Sequence, residues 1–401
     1  MTPKMREVVF MRYKTHKYFI AGRINLIQRS KIRELFERAR KMENVISLGI
    51  GEPDFDTPEN IKEAAKRALD EGWTHYTPNA GISEFREAIA EYYRHTYGMD
   101  VPMENVIVTA GAYEATYLSF ETLLENGDEV IIPDPAFVCY VEDAKMAEAK
   151  SVRLPLREDN HFQPDPDELL DLITKRTRMI VINYPNNPTG ATLDEEIAKA
   201  VADIAQDYNI YILSDEPYEH FIYGDAKHYP MLKYAPDNTI LANSFSKTFA
   251  MTGWRLGFTI APEQIIKDMI KLHAYVIGNV ASFVQIAGIE ALKSEESWKA
   301  VRKMKDIYNE RRKIVLDYIQ KMPYISALEP KGAFYVFANI KETGMKSEEF
   351  AEWLLNKAGV VVIPGTAFGK HGEGYIRISY ATTKEKLIEA LERIKKALEE
   401  L

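Results

Sequence analysis

The chain has a single cysteine, Cys139, in 401 residues, so it cannot close an intrachain disulfide, and its composition suits a reducing compartment. It also lacks any run of about 18 apolar residues, which excludes a membrane-spanning helix of ordinary length. Basic residues are outnumbered, 51 Lys plus Arg against 60 Asp plus Glu. A net charge of −9 with no basic face argues against nucleic acid or an anionic membrane as partner. The eight histidines are scattered, and there is no cysteine cluster, His-Glu-x-x-His or phosphate loop ending in Gly-Lys-Ser/Thr, so no metal is expected. Gly49-Ile-Gly51 lacks the third glycine of a dinucleotide fingerprint. Glutamine is scarce, a bias of heat-adapted proteins.

No apolar core precedes a small-residue cleavage site near the start, so the expected location is the cytoplasm. Residues 1–20 carry Arg6, Arg12, Lys14 and Lys17. They read as a solvated tail or as extra residues from an upstream start, with Met5 and Met11 close behind.

What is present is an ordinary globular composition, 46% hydrophobic and 28% charged, long enough for two to three domains. Apolar residues at three- and four-residue spacing predict helices over Ile61 to Leu69 and Phe85 to Tyr93. Short β-branched runs predict strands at Val106 to Thr109, Glu129 to Ile132, Met179 to Asn183, Ile210 to Leu213, Ile240 to Ala242 and Leu256 to Ile260. These runs do not alternate, as expected of a mainly parallel sheet covered on both faces, which binds ligands at its carboxyl edge. A long helix over Trp298 to Met322 leads to a smaller α+β region with strands at Gly332 to Phe337, Val360 to Ile363 and Tyr375 to Ser379, and a helix over Lys384 to Leu398. The expected fold is therefore α/β: a large domain over 58–297 and a small one over 298–401, on which residues 1–57 pack.

Chemistry concentrates after the strands. Ser244-Phe-Ser-Lys247, with Arg255 eight positions on, makes sense if Lys247 attacks a carbonyl while Ser244 and Arg255 hold a nearby phosphate. A lone lysine at a strand end is usually a surface charge. Here Asn183-Tyr-Pro-Asn-Asn187-Pro-Thr-Gly190 and Ser214-Asp215-Glu-Pro-Tyr218 follow the two preceding strands, although each block taken singly also reads as a turn or a helix cap. Gly111-Ala112-Tyr113 opens a helix after a strand, where backbone N–H groups favour an anion.

In their joint order these blocks resemble the class I aminotransferases, pyridoxal-phosphate enzymes of fold type I, and the resemblance runs from about residue 25 to near the end. It implies that Lys247 carries the cofactor and then acts as base, and that Asp215 pairs with the ring nitrogen. Asn187 and Tyr218 would bond the ring's phenolic oxygen, and Phe137, in Asp134-Pro-Ala-Phe137, would stack on the ring. The phosphate would be held by Gly111, Ala112, Tyr113, Ser244, Ser246 and Arg255, and by Tyr76 of a neighbouring subunit, so a homodimer is implied. Gly51 belongs to the substrate loop Ile46 to Asp56, and Arg377, in Gly374-Tyr-Ile-Arg377, would grip the substrate's α-carboxylate beside Asn187. Cis bonds at Asp134–Pro135 and Asn187–Pro188 are implied too.

The reaction expected is transfer of an amino group between an L-amino acid and a 2-oxo acid. Tyr113 stands where some related aspartate aminotransferases carry a lysine, which favours an aromatic or broad range with glutamate and 2-oxoglutarate as the second pair. Aspartate aminotransferase remains the alternative, with Arg29 a candidate for reading a distal carboxylate. A carbon–sulfur β-lyase could use the same site. A pyridoxal-phosphate-sensing regulator would need a DNA-binding domain ahead of the fold, and only about two dozen residues precede the matching region, against about 50 for a small domain. Cys139 lies near Phe137, and packing is its expected role.

Overall fold

A computed structural model of the chain describes residues 21–27, 42 and 44–401; the basic segment 1–20 and Arg29 lie outside these. Among the described residues thirteen strands form three sheets. In chain order they are β1 (Ile46–Ser47), β2 (Val106–Thr109), β3 (Glu129–Asp134), β4 (Lys150–Pro155), β5 (Thr177–Ile182), β6 (Tyr211–Asp215), β7 (Thr239–Ser244), β8 (Gly257–Ile260), β9 (Ser326–Ala327), β10 (Tyr335–Asn339), β11 (Val360–Val361), β12 (Ile363–Pro364) and β13 (Tyr375–Ser379).

The large sheet has the order β2-β8-β7-β6-β5-β3-β4. From β4 to β7 every pairing is parallel, while β8 is antiparallel to both β7 and β2. The link from β7 to β8 holds only the one-turn helix Phe245–Thr248 and a 3-10 turn, with no long helix to cross a sheet face, and β8 returns antiparallel beside β7. Two reversals leave β2 pointing the same way as β3 to β7. The carboxyl ends of β2, β3, β5, β6 and β7 therefore open on one edge.

Both faces of this sheet are covered, which explains the unalternating apolar runs. Met179 and Val181 pack with the helices Ala112–Leu123 and Glu263–Val276, whereas Ile180 and Ile182 pack with Glu195–Asp207. The unforeseen strand is β4, an edge strand carrying Lys150 and Arg153, whose charges mask its pattern and suit an edge.

The second sheet, β12-β13-β10-β9, is antiparallel. The run Val360 to Ile363 divides at Val362: β11 pairs in parallel with β1, and β12 turns to pair with β13. Through β1 the segment that leads into Gly49 and Gly51 is tied to the C-terminal region. The long helix spans Glu295–Ile319, three residues short of the expected end, because Pro323 disfavours helix just before it. Asp134–Pro135, Tyr184–Pro185 and Asn187–Pro188 are cis; the second was not foreseen.

Candidate active site

At the common strand edge lies a cleft of about 570 Å³, lined by Gly51, Ala112, Tyr113, Phe137, Asn187, Tyr218, Ser244, Ser246, Lys247, Arg255 and Arg377 among others. Residues from positions 49 to 255 thus meet because each follows or ends a strand, and Arg377 joins them from the middle of β13. Asp215, the last residue of β6, is buried, and Gly111 lies behind Arg255. Tyr76 is the exception: 94% exposed, it lines no part of this chain's own cleft.

Lys247 projects from the one-turn helix after β7, and its Nζ donates to the Gly51 carbonyl at 2.6 Å. Burial disfavours its ammonium form and lowers its pKa to about 8, despite the opposing charge of Glu52; Arg377 and Arg255 act in the same direction as burial. The Ser244 hydroxyl caps that helix by accepting from Ser246 N at 3.0 Å, and it donates to the Ser246 hydroxyl at 2.7 Å. Local capping is thus performed by Ser244, not by Ser246.

Burial likewise raises the Asp215 carboxyl to about 7, although the Tyr140 hydroxyl, donating to Oδ2 at 2.5 Å, pulls the other way. Oδ1 of Asp215 is buried without a partner among the described residues, an acceptor free to meet a bound group. Asn183 ties two loops together: its Nδ2 donates to Asp215 O at 2.8 Å, and its Oδ1 accepts from Asn187 N at 3.1 Å. Behind them Glu216 accepts from Ser214 and Glu219 from Tyr97 and Asn243, so this buried acidic pair is served by internal donors.

Arg377, on β13, is buried. It donates to Asn187 Oδ1 and to Gly49 O, both at 2.7 Å, while its Nε has no partner among the described residues. Its guanidinium lies 4.4 Å from the Tyr335 ring centre and 4.9 Å from that of Phe368. Tyr335 also shares a 2.8 Å hydrogen bond with the Tyr218 hydroxyl. Sequence reasoning read Tyr335 only as strand, and it missed Tyr140 and Phe368 altogether. The spacing from Phe137 to Tyr140, one helical turn, was the available signal for Tyr140.

The mouth is aromatic on one side. Tyr113, 55% exposed, meets Phe137 edge-on at 5.7 Å. Gly111 adopts φ 85°, and a Cβ there would fall 2.6 Å from Arg255 Nη2, so only glycine lets this turn and the guanidinium converge. An N-terminal helix turn beside an arginine and two hydroxyls is a cradle for a phosphate group.

Residues 43–394 match the family model described as aminotransferase class I and II, and the chain belongs to that family. It is 79% identical over 96% of its length to an aspartate aminotransferase of Pyrococcus horikoshii, covering 98% of that protein. It is 46% identical to aromatic-amino-acid aminotransferase 2 of Thermococcus litoralis, covering 95% of this chain and 98% of the relative. The crystal structure of an aromatic aminotransferase from Pyrococcus horikoshii superposes with a TM-score of 0.88 at 47% identity, covering 91% of this chain and 99% of that one. The protein is a pyridoxal-phosphate-dependent aminotransferase of fold type I. The cleft suits that cofactor: a buried unpaired carboxylate oxygen for a cationic ring nitrogen, a buried amine, and an anion cradle. No helix among the described residues is long and apolar enough to cross a membrane.

Proposed function

We propose that the cleft holds pyridoxal 5′-phosphate with its phosphate on the Gly111–Tyr113 turn, Ser244, Ser246 and Arg255, and its ring against Phe137. Asp215 Oδ1 would meet the ring nitrogen and keep it protonated, while Asn187 and Tyr218 donate to the phenolic oxygen. When bound, the cofactor is an electron sink that lets an amino acid lose its Cα proton. Lys247 Nζ, whose ammonium form burial disfavours, is placed to take that proton and return it. Arg377, already oriented by Asn187 and Gly49, grips the α-carboxylate with two parallel hydrogen bonds.

The substrate reading is an aromatic or broad-range L-amino acid, with glutamate and 2-oxoglutarate as the second pair. One observation carries it: the cations among the described residues lining the cleft are Lys247, Arg255 and Arg377, and each has a use above. Where a further cation would serve an acidic side chain stands Tyr113, paired with Phe137. Aspartate is the second reading, favoured by the name of the 79% identical relative.

A half-reaction panel separates the two. Each amino acid is added alone to the loaded enzyme, and the loss of the lysine-bound cofactor's absorbance is timed. Phenylalanine, tyrosine and glutamate faster than aspartate supports the first reading; faster aspartate supports the second. Conversion by none of them, with ammonia and pyruvate released from cystathionine, would point to β-lyase chemistry instead.

The working unit we propose is a cytoplasmic homodimer with a large cofactor domain over 58–297 and a small domain built from 298–401 and the N-terminal segment. Tyr76 supports the dimer, being exposed and outside the lining of its own chain's cleft. The exposed Tyr275, Val276 and Ile277 are apolar surface of the kind a second subunit covers.

A further inference from the structure

Glu114 is the third residue of the helix Ala112–Leu123, and its carboxylate folds back onto the chain ahead of that helix. Oε2 accepts from Ala110 N at 2.5 Å, and Oε1 faces His273 Nδ1 at 3.0 Å. Both side chains are buried. His273, on the helix Glu263–Val276, is wholly inaccessible, and its Nε2 has no partner among the described residues. An ionised carboxylate only accepts, so Nδ1 carries the proton in this pair. Ala110 is also held from its other side, its carbonyl accepting from Arg255 Nη2 at 3.0 Å. Glu114 and Arg255 thus grip the same residue, one by its N–H and one by its C=O, just ahead of the positive-φ Gly111.

A carboxylate beside an anion cradle repels the anion, so electrostatics alone gives no reason for it there. Its effect is geometric. With Ala110 fixed, Gly111 can come close to the guanidinium, and the first helical amides stay aligned with Arg255. We propose that Glu114, itself oriented by His273, is a positioning residue for the cofactor's phosphate group. The proposal rests on the reading that the Gly111 turn and Arg255 form the phosphate site.

The test compares dissociation constants of pyridoxal 5′-phosphate and of pyridoxal, which lacks the phosphate, on the cofactor-stripped full chain. The wild type prefers the phosphorylated form. Glu114→Ala lowers that preference by at least about tenfold, the scale of one lost buried hydrogen bond, and leaves pyridoxal affinity within about twofold. Glu114→Gln, whose side-chain oxygen can still accept from Ala110 N, stays within about threefold of wild type. His273→Leu moves the preference in the same direction as Glu114→Ala, by less. Equal weakening toward both ligands, or an intact preference in Glu114→Ala, overturns the proposal. If Glu114→Ala does not fold, an unchanged preference in His273→Leu overturns it. Arg255→Ala separates the two layers. Loss of the preference in Arg255→Ala but not in Glu114→Ala defeats only the positioning role. A wild type with no preference defeats the phosphate reading and the proposal together.

Discussion

Arg377 donates to the side-chain oxygen of Asn187 across 2.7 Å, although 190 positions separate them in the chain. One stands on the small antiparallel sheet and the other follows β5 of the large one, so the proposed substrate site spans both. Arg377→Lys keeps the charge and loses the fork. With charge-assisted bonds at roughly 1.5–3 kcal/mol each, kcat/KM for amino donors should fall on the order of 100-fold, read in half-reaction kinetics, with cofactor affinity unchanged.

Lys247 should react as a depressed lysine. Its amine is neutral above about pH 8, where an ordinary lysine is still charged. Covalent labelling of cofactor-free protein by pyridoxal 5′-phosphate, fixed by borohydride and read by peptide mass spectrometry, should rise with pH through about 8. Lys247→Ala should show no adduct in that peptide and no turnover.

Tyr335 ties the two halves of the site, through its hydroxyl to Tyr218 and through its ring to Arg377. Tyr335→Phe removes one neutral hydrogen bond and should lower kcat/KM by about three- to tenfold. Tyr335→Leu also removes the ring from the guanidinium and should cost more, mainly in KM. Equal losses in the two variants would count against the ring's part.

Asp143 is buried in the helix Cys139–Met146 with Oδ2 unpartnered among the described residues, and burial raises its carboxyl to about 7. A carboxyl raised on folding adds stability that is complete below its unfolded pKa and is lost as pH rises through the folded value. Asp143→Asn removes this dependence. Its melting temperature relative to wild type should therefore climb between about pH 4 and 7 and level off above that.

The shared-site dimer has its own test. Tyr76→Ala and Lys247→Ala should each cripple the homodimer, Lys247→Ala fully. Refolded together in equal amounts, they should recover roughly a quarter of the wild-type sites, because half the dimers are mixed and each mixed dimer has one intact site. No recovery, with mixed dimers present, would remove Tyr76 from the partner's site.

The sequence by itself determined most of the large sheet and the chemistry at its edge. Fully buried strands must be apolar on both faces, and β5, β6 and β7 therefore announced themselves, with Asp215 at the end of β6 and Asn187 and Lys247 just beyond β5 and β7. Glycine at 111 could be read as a turn before a helix. Tertiary structure alone decided the antiparallel course of β8, the division of the run Val360 to Ile363 between two sheets, and the edge strand β4. It alone also brought Tyr335 and Phe368 around Arg377, Tyr140 under Asp215, and Glu114 between Ala110 and His273. The difference is physical. Periodicity and turn chemistry report what a residue does within one element, whereas these contacts join elements far apart in the chain, and local pattern carries no record of which elements will meet.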